Sequence, residues 1–422
     1  MKVNRVKKYL IKKNNSDFSV IDEISFKTKN LYNLANYTIR HKFINTSKEV
    51  EDGICDKAKW IRYKELDKAI QNTDSYRNLP SAISQATLRK LDKNWKSFFK
   101  SIKDFKRYPE KYTGRPKMPG YIGNKDKDRL DGRYLITINN QNFKIKNGYI
   151  YFSIGCLKGL NNKYKANIPE NSKLIELRFC PGKDEYTLHL VYEIDIDEIE
   201  VKNKRICSID LGINNLMTIV NNCDLRPIAI NGKPLKSINR EYNKTIAHMM
   251  SNLMTRHNAY TSNRMRSYTN KRNRKVEDYM HKASKVVIDY CLENNIDTLV
   301  CGYNSGWKDE CNMGKANNQK FVYIPYLSLK EKLKYKCEDV GIQFIEVEEP
   351  YTSGTSFLDY EKPIKENYDK KRRIHRGLFV TKSQGFINAD VNGAYQIFIT
   401  AFPDAFKTGR DKLHRHPDII NI

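Results

Sequence analysis

Two aspartates stand where apolar runs end, Asp210 in "ICSIDLGINNLMTIV" and Asp390 in "FINADVNGAYQIF". A buried carboxylate is costly unless it is paired or holds a cation. Asp390 has two compatible readings, as the N-cap of a helix starting at Val391 or as part of a site at the end of a sheet. Asp210 precedes a Gly-Ile-Asn turn and a second apolar run, so it is either a local hydrogen-bonder of that turn or a ligand. The chemistry that needs such groups is phosphodiester hydrolysis. There, several carboxylates converge on Mg²⁺ ions about 4 Å apart, and the hard cation takes oxygen ligands.

The charge balance names the class of partner. The chain has 76 Lys and Arg against 49 Asp and Glu, a net charge of +27. That excess predicts a polyanion, and nucleic acid first. The competing polyanion is a membrane surface, but no apolar run approaches the roughly 20 residues of a spanning helix. "MKVNRVKKYLIKKNNSD" has no apolar core of signal-peptide length. The expectation is a soluble cytoplasmic protein, associated with the nucleoid when bound to DNA. The nine cysteines are odd in number and form no CxxC, which reads as reduced thiols rather than a disulfide framework or a zinc ribbon.

At 422 residues the chain calls for two or three domains. Residues 1–20 alternate like a strand, and 21–105 read as helical, with Ile83, Ala86, Leu88, Leu91, Trp95 and Phe98/Phe99 at helical spacing. A cationic loop punctuated by Pro and Gly follows over 106–129. Short strands with hairpin turns at Asn147-Gly148 and Pro181-Gly182 fill 133–200. Beyond a boundary near "EIEVKNK" strands alternate with helices, which implies an α/β layer sandwich. A basic helical stretch spans 236–294, a polar insert 352–385, and a last helix begins in "ADVNGAYQIFITAF".

"SIDLGINN" with "INADVNGAYQI" resembles the first and third RuvC motifs of TnpB, the RNA-guided nuclease of insertion sequences, and of the small type V CRISPR effectors similar to it. "WKSFFKSIKDFKRYPEKYTGRPKMPGY", "HKASKVVIDYCLENNIDTLV" and "LKYKCEDVGIQFIEVEEPYTS" resemble further family segments in the family's order, so the resemblance covers the chain from about residue 80. It implies an α/β fold with an RNase H-like (RuvC) nuclease domain over 201–351 and 386–422. It also implies a β-barrel over 1–20 and 133–200, and a helical recognition lobe over 21–132. A guide RNA, transposon-encoded or from a CRISPR array, would direct the chain to double-stranded DNA, and Mg²⁺-dependent cleavage would leave 5′-phosphates.

Two departures qualify it. The family's second RuvC motif has a Glu where this chain has Gly302, and the zinc-ribbon cysteines are missing from 352–385, so no zinc is expected. A replacement carboxylate is available at the end of "IEVEE", on a strand that would neighbour the one ending at Gly302, about 4.8 Å away. Glu349 continues the face of Ile345 and Val347 and is the first candidate; Glu348 points the other way and is the second. The plainer reading of this pair is a solvated strand end, and Asp309 and Glu310 are further alternatives. The resulting set is Asp210, Asp390 and Glu349 or Glu348, holding Mg²⁺. If no glutamate reaches, the chain is a guided DNA-binding repressor that cannot cut. A DNA-strand transposase is a third reading.

Nucleic-acid contacts are expected from Arg264, Arg266, Lys271 and Arg272 in "TRHNAYTSNRMRSYTNKRNRK", with Tyr260 and Tyr268 available to stack. The alternative for that run is a solvated face. Arg115 and Lys117 in "GRPKMP" are backbone contacts by resemblance, or shape a linker, and Arg376 in "RRIHRGLF" helps hold substrate, or lies in a solvated loop.

Overall fold

The computed structural model describes all residues except 124–131, 183, 202–203, 304–323, 376 and 384. The chain divides into two compact units, Lys2–Asp195 and, with Met1, Ile196–Ile422.

In the first unit, β1 (Lys2–Lys12) alternates exposed and half-buried residues. It pairs antiparallel with β6 (Glu185–Asp195), in register from Lys2↔Asp195 to Lys12↔Glu185. β6 pairs on its other side with β5 (Ser172–Pro181), and β5 with β2 (Ile136–Asn139), all antiparallel. This four-stranded sheet is open. β1 and the short β2 are its two edges and do not pair with each other, so the expected barrel is not closed among the described residues. β3 (Phe143–Lys146) and β4 (Tyr149–Phe152) form a separate ribbon, not part of that sheet. Its turn is Asn147-Gly148, with φ of 49° and 76°, the positive pair a two-residue hairpin turn requires.

The helices of this unit are α1 (Phe18–Glu51), α2 (Tyr63–Ile70), α3 (Asp74–Arg77) and α4 (Ser81–Arg107). Trp95 is fully buried on α4, and its indole N–H donates to Asn36 Oδ1 on α1 at 3.1 Å. The Asn36 amide donates in turn to the carbonyls of Pro119 and Gly120 at 2.9 and 3.1 Å. Asn33 and the Ile122 backbone exchange two hydrogen bonds at 2.7 and 2.8 Å. One buried asparagine thus joins the aromatic core to the cationic loop and satisfies polar groups that burial would otherwise penalise.

The second unit is built on a six-stranded sheet in the order β11-β10-β7-β8-β9-β14. β7 (Ile206–Leu211), β8 (Asn215–Asn221) and β9 (Ile228–Asn231) form an antiparallel meander. β10 (Thr298–Tyr303) runs parallel to β7, and β11 (Gln343–Glu348) parallel to β10. β14 (Asp418–Ile420), absent from the sequence reading, adds a parallel edge to β9. The basic stretch is two helices, α5 (Lys233–His257) and α6 (Asn263–Glu293). Asn258 breaks it in the left-handed conformation, and Ser262 caps the second helix by accepting from the Met265 N–H. α7 (Tyr326–Asp339) precedes β11, and α8 (Ala389–Ala401) follows a two-stranded ribbon of β12 (Leu378–Val380) and β13 (Phe386–Asn388).

Period-two alternation sorts the sheet residues into two cores. Cys207, Ile209, Leu211, Leu299 and Cys301 pack with α6 and α7. Ile206, Val220, Val300, Ile345 and Val347 pack with α8, Phe357 and Phe379. Central strands buried on both faces read as continuous apolar runs, which explains why a lone carboxylate in one of them stood out in the sequence.

Candidate active site

Asp210, Gly302 and Glu349 share one sheet face and one sheet end. Asp210 lies in β7, two residues after Ser208, whose hydroxyl donates to the Ala394 carbonyl of α8 at 2.7 Å. Gly302 follows Val300 by two, and Glu349 follows Val347 by two just beyond β11. The three strands are parallel, so their C-terminal ends meet beneath the start of α8.

Close approach decides the rest. A Cβ added to Gly302 would lie 2.4 Å from Glu349 Oε2 and 2.5 Å from Ile397 Cδ1. The space above Gly302 is therefore occupied by the Glu349 carboxylate and the Ile397 side chain. A Cβ on Gly393 would lie 3.0 Å from Asp210 Oδ2, so α8 passes over Asp210 at its glycine. Glu348 is exposed at the end of β11 and is not brought to this face. Asp309 and Glu310 lie outside the described residues.

Asp390 does not cap α8. Asn388 does, its side chain accepting from the Asp390 and Val391 N–H groups at 3.0 and 3.2 Å. Asp390 is instead in the first turn, where a negative charge favours the helix dipole, and its two oxygens take separate donors. Arg373 donates to Oδ1 and Asn215 to Oδ2, each at 2.9 Å. Neither partner was singled out in the sequence. Arg373 lay within the noted run "RRIHRGLF" and Asn215 within "SIDLGINN", but nothing local distinguishes them from their neighbours.

The electrostatics record how close the carboxylates are. Asp210 is held well above the ordinary carboxylate range by burial, then by the charges of Glu349 and Asp390, with Arg373 offsetting part of the effect. Burial pushes Glu349 up to about 7, and its Oε2 is buried with no hydrogen-bond partner among the described residues. An orphaned buried carboxylate oxygen on the same face as Asp210, with Asp390 also acting on Asp210, is a donor set suited to a hard divalent cation. The side chains do not already stand as a three-ligand cluster among the described residues; Asp390 is turned onto Arg373.

The predicted nucleic-acid residues divide by environment. Arg264 and Lys271 are exposed on α6. Arg272 is half-buried and bridges to α5: its guanidinium donates to Asn239 Oδ1 from Nε at 2.9 Å and from a terminal nitrogen, and lies 5.4 Å over the Tyr242 ring. Arg266 is half-buried, with a 3.5 Å bond to Asn263. In the other unit, Arg115 and Lys117 are exposed, lining a cavity of about 1030 Å³ with Phe98, Phe99 and Tyr121. Arg376 lies outside the described residues. No helix among the described residues is long and apolar enough to cross a membrane.

Comparison with known proteins gives the class. Residues 189–308 match the family model described as OrfB_IS605, probable transposase, and residues 326–397 match the Cas12f1-like TNB domain. The first match spans β7 to β10 with Asp210 and Gly302; the second spans α7 to α8 with Glu349, the insert and Asp390. The resemblance to TnpB and the compact type V effectors is thereby borne out. Among solved structures the chain is similar to the protein of a Cas12f1–sgRNA–target DNA complex, with 14% identity over 90% of this chain and 82% of that chain and a TM-score of 0.54. A CRISPR–Cas12f ternary complex is more distantly alike, with 12% identity over 89% and 81% of the two chains and a TM-score of 0.38. The first of these shows a shared mixed α/β fold. No curated protein matches the chain.

Proposed function

We propose that this chain is an RNA-guided DNA endonuclease with a RuvC-like site, in which Asp210, Glu349 and Asp390 hold Mg²⁺. The observation that carries the reading is Glu349 over Gly302, on the same face as Asp210, whose carboxyl feels the charges of both Glu349 and Asp390. The strand order, a three-stranded meander extended by two parallel strands, supports an RNase H-like domain. The two family matches cover both halves of the site.

Bound Mg²⁺ would supply a polarised phosphoryl oxygen and an activated water. The residues of the chain do the rest. Asp210 and Glu349, desolvated against α8, present oxygens that gain most when a cation neutralises them. Asn215 orients Asp390. Arg373, placed at the same carboxylate, is in position to neutralise charge on a phosphate. Guide and target would be read by base pairing, and the protein would read duplex shape and a short flanking motif. The basic excess and the exposed Arg264, Lys271, Arg115 and Lys117 support binding to the nucleic-acid backbone. The guided-repressor reading rests on the lost carboxylate at position 302; Glu349 over Gly302 supports the nuclease reading instead.

The test is plasmid cleavage. The protein is co-expressed with its flanking genomic DNA, purified as a complex, and given Mg²⁺ and targets with randomised flanks. Sequence-defined cuts that Asp210→Ala abolishes, with RNA retained, are expected. Defined binding without cuts would make the chain a guided DNA-binding protein, and loss of RNA in Asp210→Ala would make Asp210 structural.

A further inference from the structure

Arg372 and Arg373 are consecutive, yet they serve different partners. Arg373 reaches Asp390. Arg372 turns into the segment that precedes α8, and its side chain is only 12% exposed. Its guanidinium donates to the Val380 carbonyl at 3.0 Å, to both oxygens of Glu361 at 2.9 and 2.8 Å, and to Asp359. Glu361 also accepts from the Ser356 N–H at 2.7 Å and pairs with Lys382 at 2.8 Å. Asp359 accepts from the Lys382 N–H at 2.8 Å. Gln396 of α8 donates to the Glu361 carbonyl at 3.2 Å. Burial alone would raise both carboxyls, but these bonds outweigh it and hold Asp359 and Glu361 below their ordinary values.

A buried ion cluster stays fixed when its charged groups are paired and hydrogen-bonded together, as the Arg372 guanidinium and the Asp359 and Glu361 carboxylates are. The Arg372 guanidinium bonds positions 359, 361 and 380 directly, and through the two carboxylates also ties 356 and 382, in a segment whose sequence holds no cysteine. The residue next to its hub is the one that reaches the candidate site.

We propose that Arg372 is a positioning residue: clasped by Asp359 and Glu361, it fixes the backbone on which Arg373 is carried to Asp390. This rests on the active-site reading above. The clasp gives the segment its shape from its own side chains, and the geometry at Asp390 depends on it.

The test uses the full chain with its RNA. Arg372→Met keeps the length and removes the fork; Arg372→Lys keeps the charge without it. Single-turnover cutting at saturating target is expected to fall about a hundredfold in Arg372→Met, the scale of a displaced catalytic geometry, with target affinity unchanged. Arg372→Lys is expected to recover part of that rate. Amide exchange at 370–374 and in β12 should rise in the same order. Should Arg372→Met fail to fold, Glu361→Gln carries the same expectation at smaller size. Parental cutting in Arg372→Met, or target affinity lost in step with rate, would overturn the positioning role. Parental cutting in Asp210→Ala would instead overturn the active-site reading, while the exchange measurement still decides the clasp.

Discussion

Glu349 Oε2 lies where a side chain at residue 302 would begin: a Cβ on Gly302 would be 2.4 Å from it. The two positions are 47 residues apart and belong to neighbouring parallel strands, with Gly302 directly opposite Val347. A glycine on one strand and a glutamate just past the end of the next form one complementary pair.

That pairing makes position 302 sensitive in an unusual way. Gly302→Ala meets Glu349 Oε2 and both Cδ1 and Cγ1 of the buried Ile397, an overpacking that costs about 1–3 kcal/mol of stability. Cutting should fall much further, because Glu349 has to leave. Thermal melting beside cleavage rates separates the two effects; equal, small losses would disconnect Glu349 from the chemistry.

The carboxylate can also be moved. Glu349→Ala should lower cutting at least about a hundredfold, in the range of a lost preorganised charge. Adding Gly302→Glu in that background uses the space Glu349 leaves, with Ile397 shifting to admit the new Cβ, and should recover part of the rate. The comparison of single and double variants under identical Mg²⁺ checks it, and a double variant as inactive as Glu349→Ala would argue against relocation.

Stability should depend on pH through the same group. Glu349 titrates near 7 in the fold against 4.5 as its ordinary value. The folded state therefore binds the proton more tightly, and this contribution to stability falls as pH rises from about 4.5 to about 7. With chelator present, Glu349→Gln should raise Tm at pH 8, by several degrees for on the order of 1–3 kcal/mol, and much less at pH 5. Equal shifts at both pH values would remove titration as the cause.

On the proposed reading, Arg373 and the cation would compete for Asp390. Arg373→Ala should therefore shift the Mg²⁺ midpoint for cutting to lower concentration while lowering the maximal rate. A Mg²⁺ titration of single-turnover rates reads both quantities, and an unchanged midpoint would mean that the 2.9 Å pair is not in competition.

On the basic hairpin, exposed and bridging cations should behave differently. Neutralising Arg264 and Lys271 should flatten the salt dependence of nucleic-acid binding, by about one unit of slope per lost phosphate contact. Arg272→Ala should mainly loosen α5 from α6, because its guanidinium is engaged by Asn239 and Tyr242. Salt titrations paired with melting curves distinguish the two outcomes.

The sequence by itself determined the alternation of strands and helices after residue 200, the two aspartates at the ends of apolar runs, and the large basic excess, because periodicity, turn residues and net charge are local or additive properties. It also offered Glu349, since period-two alternation follows a strand face without knowledge of its neighbours. The barrel expected over residues 1–20 and 133–200 is not closed among the described residues, because whether β1 and β2 pair depends on strand lengths and registers set across the sheet. For Asp390 the sequence left cap and site residue open together; Asn388 takes the cap through its own nearby side chain, while the pairing of Asp390 with Arg373 and Asn215 was fixed by packing between residues up to 175 apart. Which side chain fills the space over Gly302, and which arginine of a consecutive pair turns to Asp390 while the other holds the segment in shape, only the tertiary structure decided, because each depends on atoms brought together by strand pairing and helix packing rather than by spacing along the chain.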